Sequence, residues 1–190
     1  MLDLSPRSRL AIGIALALLM AVTRGHHFSD INLPSASWAV FFLAGALLPA
    51  RWAFPVLFLE AVALDLAAVT WGGVSNWCVT PAYWLLLPAY AALWFGGRLY
   101  ARVHRDAWSS FARLLPCVLA ASFACHLLSS GGFYLFSGRY PEASLAGFLP
   151  RIATYYPQSL QALALYVGLA ALLLAAAHAW KQARGVEASR

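Results

Sequence analysis

Long apolar runs, separated by short connections that hold most of the charge, are the feature that most narrows the folds open to this chain. Hydrophobic residues make up 62% of the sequence and charged ones only 11%, against about 25% charged in a soluble domain. A backbone taken into lipid must bond its own amides within the segment, so repeated apolar runs predict membrane-spanning helices of about 20 residues each. The net charge of +6 does not point to nucleic acid, because the basic residues are dispersed along the connections rather than gathered on one face. The chain reads as a single all-α integral membrane domain, 1–190, embedded in a lipid bilayer.

Six transmembrane helices are expected. The first span, 10–22, follows Arg7 and Arg9 as a signal-peptide core would, but no small-residue cleavage site comes after it, so it is read as retained. It carries Ala11/Ala15 and Ala17/Ala21, a spacing that lets helices approach closely in lipid and also suits ordinary packing. A polar connection, 23–34, holds Arg24, His26, His27, Asp30 and Asn32. The second span, 35–50, turns at Arg51 into the third, 52–71, where Pro55 falls in the tolerant first turn. The fourth is 81–99, with Pro88 as a kink, and the fifth is 114–136, broken near its end by Gly131 and Gly132. A long loop, 137–156, leads to the sixth span, 157–179.

Cation placement orients these spans. One side receives Arg7, Arg9, Arg51, Arg98, Arg102, Arg105, Arg113, Lys181, Arg184 and Arg190, and the other only Arg24, Arg139 and Arg151. Ten against three puts both termini in the cytoplasm by the positive-inside rule. The connections 23–34, 72–80 and 137–156 are then external.

Two acids, Glu60 and Asp65, lie inside the third span, where a charge must face the bundle interior and meet a partner or a cavity. For Glu60 an ion pair is expected. Asp65, His126 and Gln161 all fall one to two turns below the outer surface, as a polar cavity opening outward would require. Between the third and fourth spans, the uncharged loop 72–80 carries Cys78. Thr80 and Pro81 read as the cap and first residue of the next helix, which sets Cys78 just ahead of a helix N-terminus. The partial positive charge there biases a thiol towards thiolate, the form that binds metals and attacks electrophiles. The competing reading is a spectator cysteine.

Several functions are excluded or disfavoured. The sequence has no GxxxxGK[ST] phosphate loop, so it does not power itself with a nucleotide, and it lacks the HExxH and GxSxG motifs of common hydrolases. Cys78, Cys117 and Cys125 form no CxxC pair and supply no zinc framework.

The order of a His-His loop, then LPSASWAVFFLAG, then LEAVALDLAAVTWGGVSNWCVTPAYW resembles the BtuM family of small bacterial cobalamin transporters, relatives of the substrate-binding S-components of energy-coupling-factor (ECF) transporters. The likeness covers nearly the whole chain and is most specific over 65–83. It implies an S-component-like fold in the bacterial inner membrane, with cobalamin (vitamin B12) as the transported ligand and no intrinsic cofactor. It also implies that Cys78 ligates the corrinoid cobalt from the external loop, and that Asp65 and Tyr83 line the pocket. Trp77, His26 and His126 are further candidate ligand contacts. Ala11 and Ala15 match the pattern by which S-components pack on an ECF transmembrane subunit, itself coupled to an ATPase.

A corrin ring fills the four equatorial positions of its cobalt, so one soft axial donor suffices, and a thiolate is such a donor. If it replaces the vitamin's own base, it weakens the bond on the opposite face, as a thiolate does across haem iron. Release of an upper cyanide, with Cys78 in the catalytic role, is the processing activity this chemistry implies. Two other readings compete: an S-component for another vitamin, in which Asp65 and Tyr83 contact an organic ligand, and a membrane thiol oxidoreductase using Cys78 with Cys125. A purely structural subunit leaves the outward polar cluster unexplained.

Overall fold

The computed structural model describes residues 5–24, 33–104 and 109–187. Among these residues seven α-helices follow in order: α1 (Pro6–Arg24), α2 (Ser37–Leu47), α3 (Ala53–Thr70), α4 (Leu86–Val103), α5 (Ser109–His126), α6 (Gly132–Phe136) and α7 (Leu145–Glu187). Among the described residues there is no strand, and four helical stretches are long and apolar enough to cross a membrane: Pro6–Arg24, Ala53–Thr70, Ala112–Phe136 and Leu145–Ala177. The protein is an all-helical, multi-pass membrane protein by the length and composition of these helices. Their outer faces agree with this, since Leu10, Ile14, Leu18 and Val22 of α1 and Leu165, Leu169, Leu172 and Leu173 of α7 are exposed. Such stripes would be an aggregation hazard in water and are ordinary surface in lipid.

The core lies around α2. Ala39, Val40, Phe41, Phe42 and Ala44 have no exposed surface at all, so α2 is apolar on every side because it is surrounded by protein. It has 11 residues, about 16 Å at 1.5 Å per residue, which is half the hydrocarbon thickness. The apolar stretch 35–50 is therefore less helical than its composition predicts, and its ends, 33–36 and 48–50, are irregular. Glycine lets α2 meet α4 at backbone distance. A Cβ on Gly45 would strike the carbonyl of Trp94, and one on Gly97 the carbonyl of Phe42. Phe41 stacks on Tyr90 beside this crossing, with ring centroids 4.4 Å apart. Arg98, on the next turn of α4, donates to the carbonyls of Leu48 and Pro49, both at 3.3 Å, and so serves the unpaired end of α2.

Four local expectations change. α1 begins at Pro6 because Ser5 caps it, its Oγ accepting the Ser8 amide at 3.1 Å. Pro88 sits in the first turn of α4 and not in mid-span, because the preceding residues Pro81–Leu85 form a separate 3₁₀ segment. Gly131 and Gly132 do not break the fifth span, which runs from α5 through a π-helical turn (Leu127–Gly131) into α6. The loop expected over 137–156 is short, because α7 starts at Leu145 and runs on through Pro150 and Pro157. A proline fixes φ at a helical value and forfeits one amide, which a helix packed among others tolerates.

Candidate functional site

At the end of the bundle formed by the last turns of α1 and α3, the start of α4, the end of α5 and the start of α7, the helices enclose a cavity of about 540 Å³. Cys78, Asp65, Tyr83 and His126 line it together. These residues span 61 positions of sequence, from Asp65 to His126, and come from four separate elements.

The loop carrying Cys78 is shaped by local bonds. Gly73, with a left-handed φ of 67°, turns the chain off the end of α3. Ser75 then caps a single 3₁₀ turn, Asn76–Cys78, its side chain accepting the Trp77 amide at 3.2 Å. Cys78 is exposed on this turn. The expected helix cap behind it is different in kind. Thr80 is extended and Pro81 does open the next segment, but that segment is a five-residue 3₁₀ helix, and the Thr80 hydroxyl makes no capping bond. The Tyr83 amide bonds the Thr80 carbonyl instead, at 2.9 Å. The segment runs without a break into α4, so Cys78 stands just ahead of the helical stretch Pro81–Val103.

Asp65 meets a partner that the sequence reading placed in a loop. Arg24, at the last residue of α1, donates Nε to Oδ1 and Nη2 to Oδ2, each at 2.7 Å. Its Nη1 donates to Ser37 Oγ at 2.7 Å and to Tyr90 Oη at 2.8 Å, so four of its five N–H groups are engaged. The Tyr83 hydroxyl donates to Asp65 Oδ2 at 2.7 Å. One network thus joins α1, α2, α3, α4 and the 3₁₀ segment under the Cys78 loop. The fork-to-fork geometry is the strong form of an Arg–carboxylate pair. An acid in a span demanded such a partner; nothing in the sequence singled out Arg24 among thirteen cations.

His126 is the last residue of α5 and is wholly buried. Phe148 stacks on it at 6.1 Å, Tyr156 tilts over it at 5.4 Å, and Trp38 meets it edge-on at 6.4 Å. Neither of its ring nitrogens has a hydrogen-bond partner among the described residues. The π turn that follows places Ser129 and Ser130 on the cavity, as such turns often do at functional sites. Gly131 helps, since a Cβ there would lie 3.0 Å from the Phe148 ring.

The early start of α7 brings residues that the sequence reading assigned to a loop or missed. Phe148, Arg151 and Tyr155 fall at helical spacing on one face and line the cavity. The guanidinium of Arg151 lies 5.0, 4.9 and 5.3 Å from the rings of Tyr134, Tyr140 and Tyr155. Gln161 does not reach the cavity. Ten residues beyond Arg151, at 3.6 residues per turn, it points to another side of α7 and is exposed.

The remaining candidates are placed as follows. Trp77 is 48% exposed and lies outside the cavity lining, with the Arg139 guanidinium 4.6 Å above its ring. His26, with His27, Asp30 and Asn32, lies outside the described residues. Ala11 and Ala15 are exposed on the outer face of α1. Glu60 forms no ion pair among the described residues, where Arg24–Asp65 is the one such pair. Cys125 is fully buried and does not line the cavity, so Cys78 has no second thiol there. Among the described residues no three His, Cys, Asp or Glu side chains group to hold a metal ion. No protein-family model matches the chain, and no curated protein matches it.

Proposed function

We propose that the protein binds cobalamin on its external side and takes it up across the bacterial inner membrane, as an S-component-like transporter similar to the BtuM family. The observation that carries this reading is the meeting of Cys78, Asp65, Tyr83 and His126 on one cavity. The chain has no three-ligand metal group among its described residues, and a corrinoid needs none, because its cobalt arrives with four ring nitrogens and takes one axial donor from Cys78. At about 540 Å³ the cavity is smaller than the whole vitamin, so in this reading it takes the cobalt-bearing face of the ring while the remainder stands in its mouth.

Six crossings and cytoplasmic termini belong to this proposal. α2 makes the second crossing with its irregular flanks, 33–36 and 48–50, which add to its 11 helical residues. The 3₁₀ segment with α4 makes the fourth, α5 to α6 the fifth, and α7 the sixth. Cobalamin enters from outside, and Ala11 and Ala15, exposed on α1, face an ECF-type transmembrane and ATPase module. Loss of an upper cyanide once sulfur binds the opposite face remains part of the reading, with Cys78 as its one catalytic group.

Colour provides the test. Protein purified from cells fed cobalamin is red, with an absorption spectrum shifted by a cobalt–sulfur bond, and Cys78→Ser abolishes that shift while the control Cys125→Ser keeps it. A wild-type spectrum and full uptake in Cys78→Ser would remove the cobalt-ligand assignment. The cavity volume favours one second reading, an S-component for a smaller vitamin that the cavity encloses whole; colourless protein from the same cells would select it.

A further inference from the structure

Two arginines line the cavity and their situations differ. Arg24 is neutralised by Asp65 and has four of its donors engaged. Arg151 has no carboxylate partner among the described residues, and its one hydrogen bond there is from Nη2 to the Tyr140 hydroxyl at 3.2 Å. The three tyrosine rings around it hold the guanidinium by their π faces and leave its in-plane N–H groups, the ones that recognise oxyanions, largely unused. The aromatic cage therefore fixes a cation without discharging it. The proposed topology adds an independent point. It leaves three cations outside, against the bias that keeps Arg in the cytoplasm, and those three stand in the cavity (Arg24, Arg151) or on Trp77 of the Cys78 loop (Arg139).

We infer that Arg151 is an oxyanion subsite of the cavity, and that it takes the phosphate group of the ligand. The inference rests on the cobalamin reading, in which the amide side chains of the corrin are neutral and the phosphodiester is the fixed anion. Arg151 then anchors the vitamin at a second point, away from cobalt, and the Arg24–Asp65–Tyr83 network positions the Cys78 loop instead of contacting charge on the ligand.

The test titrates purified full-length protein with cobinamide and with cobinamide phosphate, which differ in the phosphate and both lack the base. The wild type binds the phosphate form about tenfold more tightly, as one charge-assisted contact provides. Arg151→Gln loses this preference whatever its affinity for cobinamide, circular dichroism showing the variant to be folded, and Arg151→Lys keeps part of the preference. A wild type that binds both alike, or an Arg151→Gln variant that still prefers the phosphate form, overturns the inference. If neither corrinoid binds, the cobalamin reading fails on its own. The subsite is then decided by the thermal stabilisation that pyridoxal phosphate and riboflavin phosphate give over pyridoxal and riboflavin. Stabilisation by a phosphate form that Arg151→Gln abolishes upholds the subsite, and its absence overturns it.

Discussion

Where α2 crosses α4, backbone meets backbone: Gly45 lies against Trp94, Gly97 against Phe42, and Arg98 closes the carbonyl end of α2. At its other end α4 reaches the cavity with Leu86 and Tyr90, and across that cavity both ring nitrogens of His126 are left unpartnered among the described residues. The closed end gains from every contact it makes. The open end keeps the unsatisfied His126 imidazole, which costs stability in the empty protein, and such a cost is tolerated where a ligand satisfies the group. Stability and recognition are thus separated along the length of α4, with Leu86 and Tyr90 on the cavity and Trp94 and Gly97 at the crossing.

The comparison is broken most directly by Gly97→Leu. The new side chain has nowhere to go, since its Cβ alone would meet the Phe42 carbonyl, and overpacking of this kind costs about 3 kcal/mol even with some relaxation. Thermal unfolding in detergent should show a large loss of stability or of folded yield. Normal stability would mean that the two helices do not meet at backbone distance.

Asp65→Asn acts at the junction of the two ends. It removes the charge that neutralises Arg24 and leaves a largely buried cation, a change worth about 3 kcal/mol in comparable pairs. Ligand affinity should fall as well, because Tyr83 loses its charged acceptor and the tether of the Cys78 loop weakens. If stability falls and affinity does not, the network belongs to the closed end alone.

The sequence made one end of the molecule more legible than the other, for physical reasons. Long apolar runs announce membrane helices because lipid leaves the backbone no alternative, and Asp65 announced a cavity or a partner because a charge in a span needs one. Cys78, Tyr83 and His126 were found by the same logic and by resemblance. Arg24 and Arg151 were not: each sits on a helix that extends into what composition marks as a connection, and helix ends are set by caps and packing more than by hydropathy. Pro157 was the misleading signal, since proline usually opens a helix and the sixth span was expected to start there, whereas it lies within α7. The 3₁₀ and π segments beside Cys78 and His126 have no sequence signature of their own.

His126→Leu yields the smallest effect and the sharpest comparison. In the empty protein the imidazole is wholly buried with both nitrogens unpartnered, and an unmade hydrogen bond costs about 1–3 kcal/mol per buried group. Leucine keeps the packing against Phe148 and Trp38 and removes the polar atoms, so the variant should be as stable as the wild type or more so by about 1 kcal/mol. Ligand affinity should move the opposite way, by about tenfold, if a polar group of the ligand completes the imidazole. Unfolding and binding measured on the same preparation separate the two effects. A variant that loses both would place His126 with the closed end of the molecule, as a packing residue; one that gains stability and loses affinity identifies a group kept unsatisfied for the ligand.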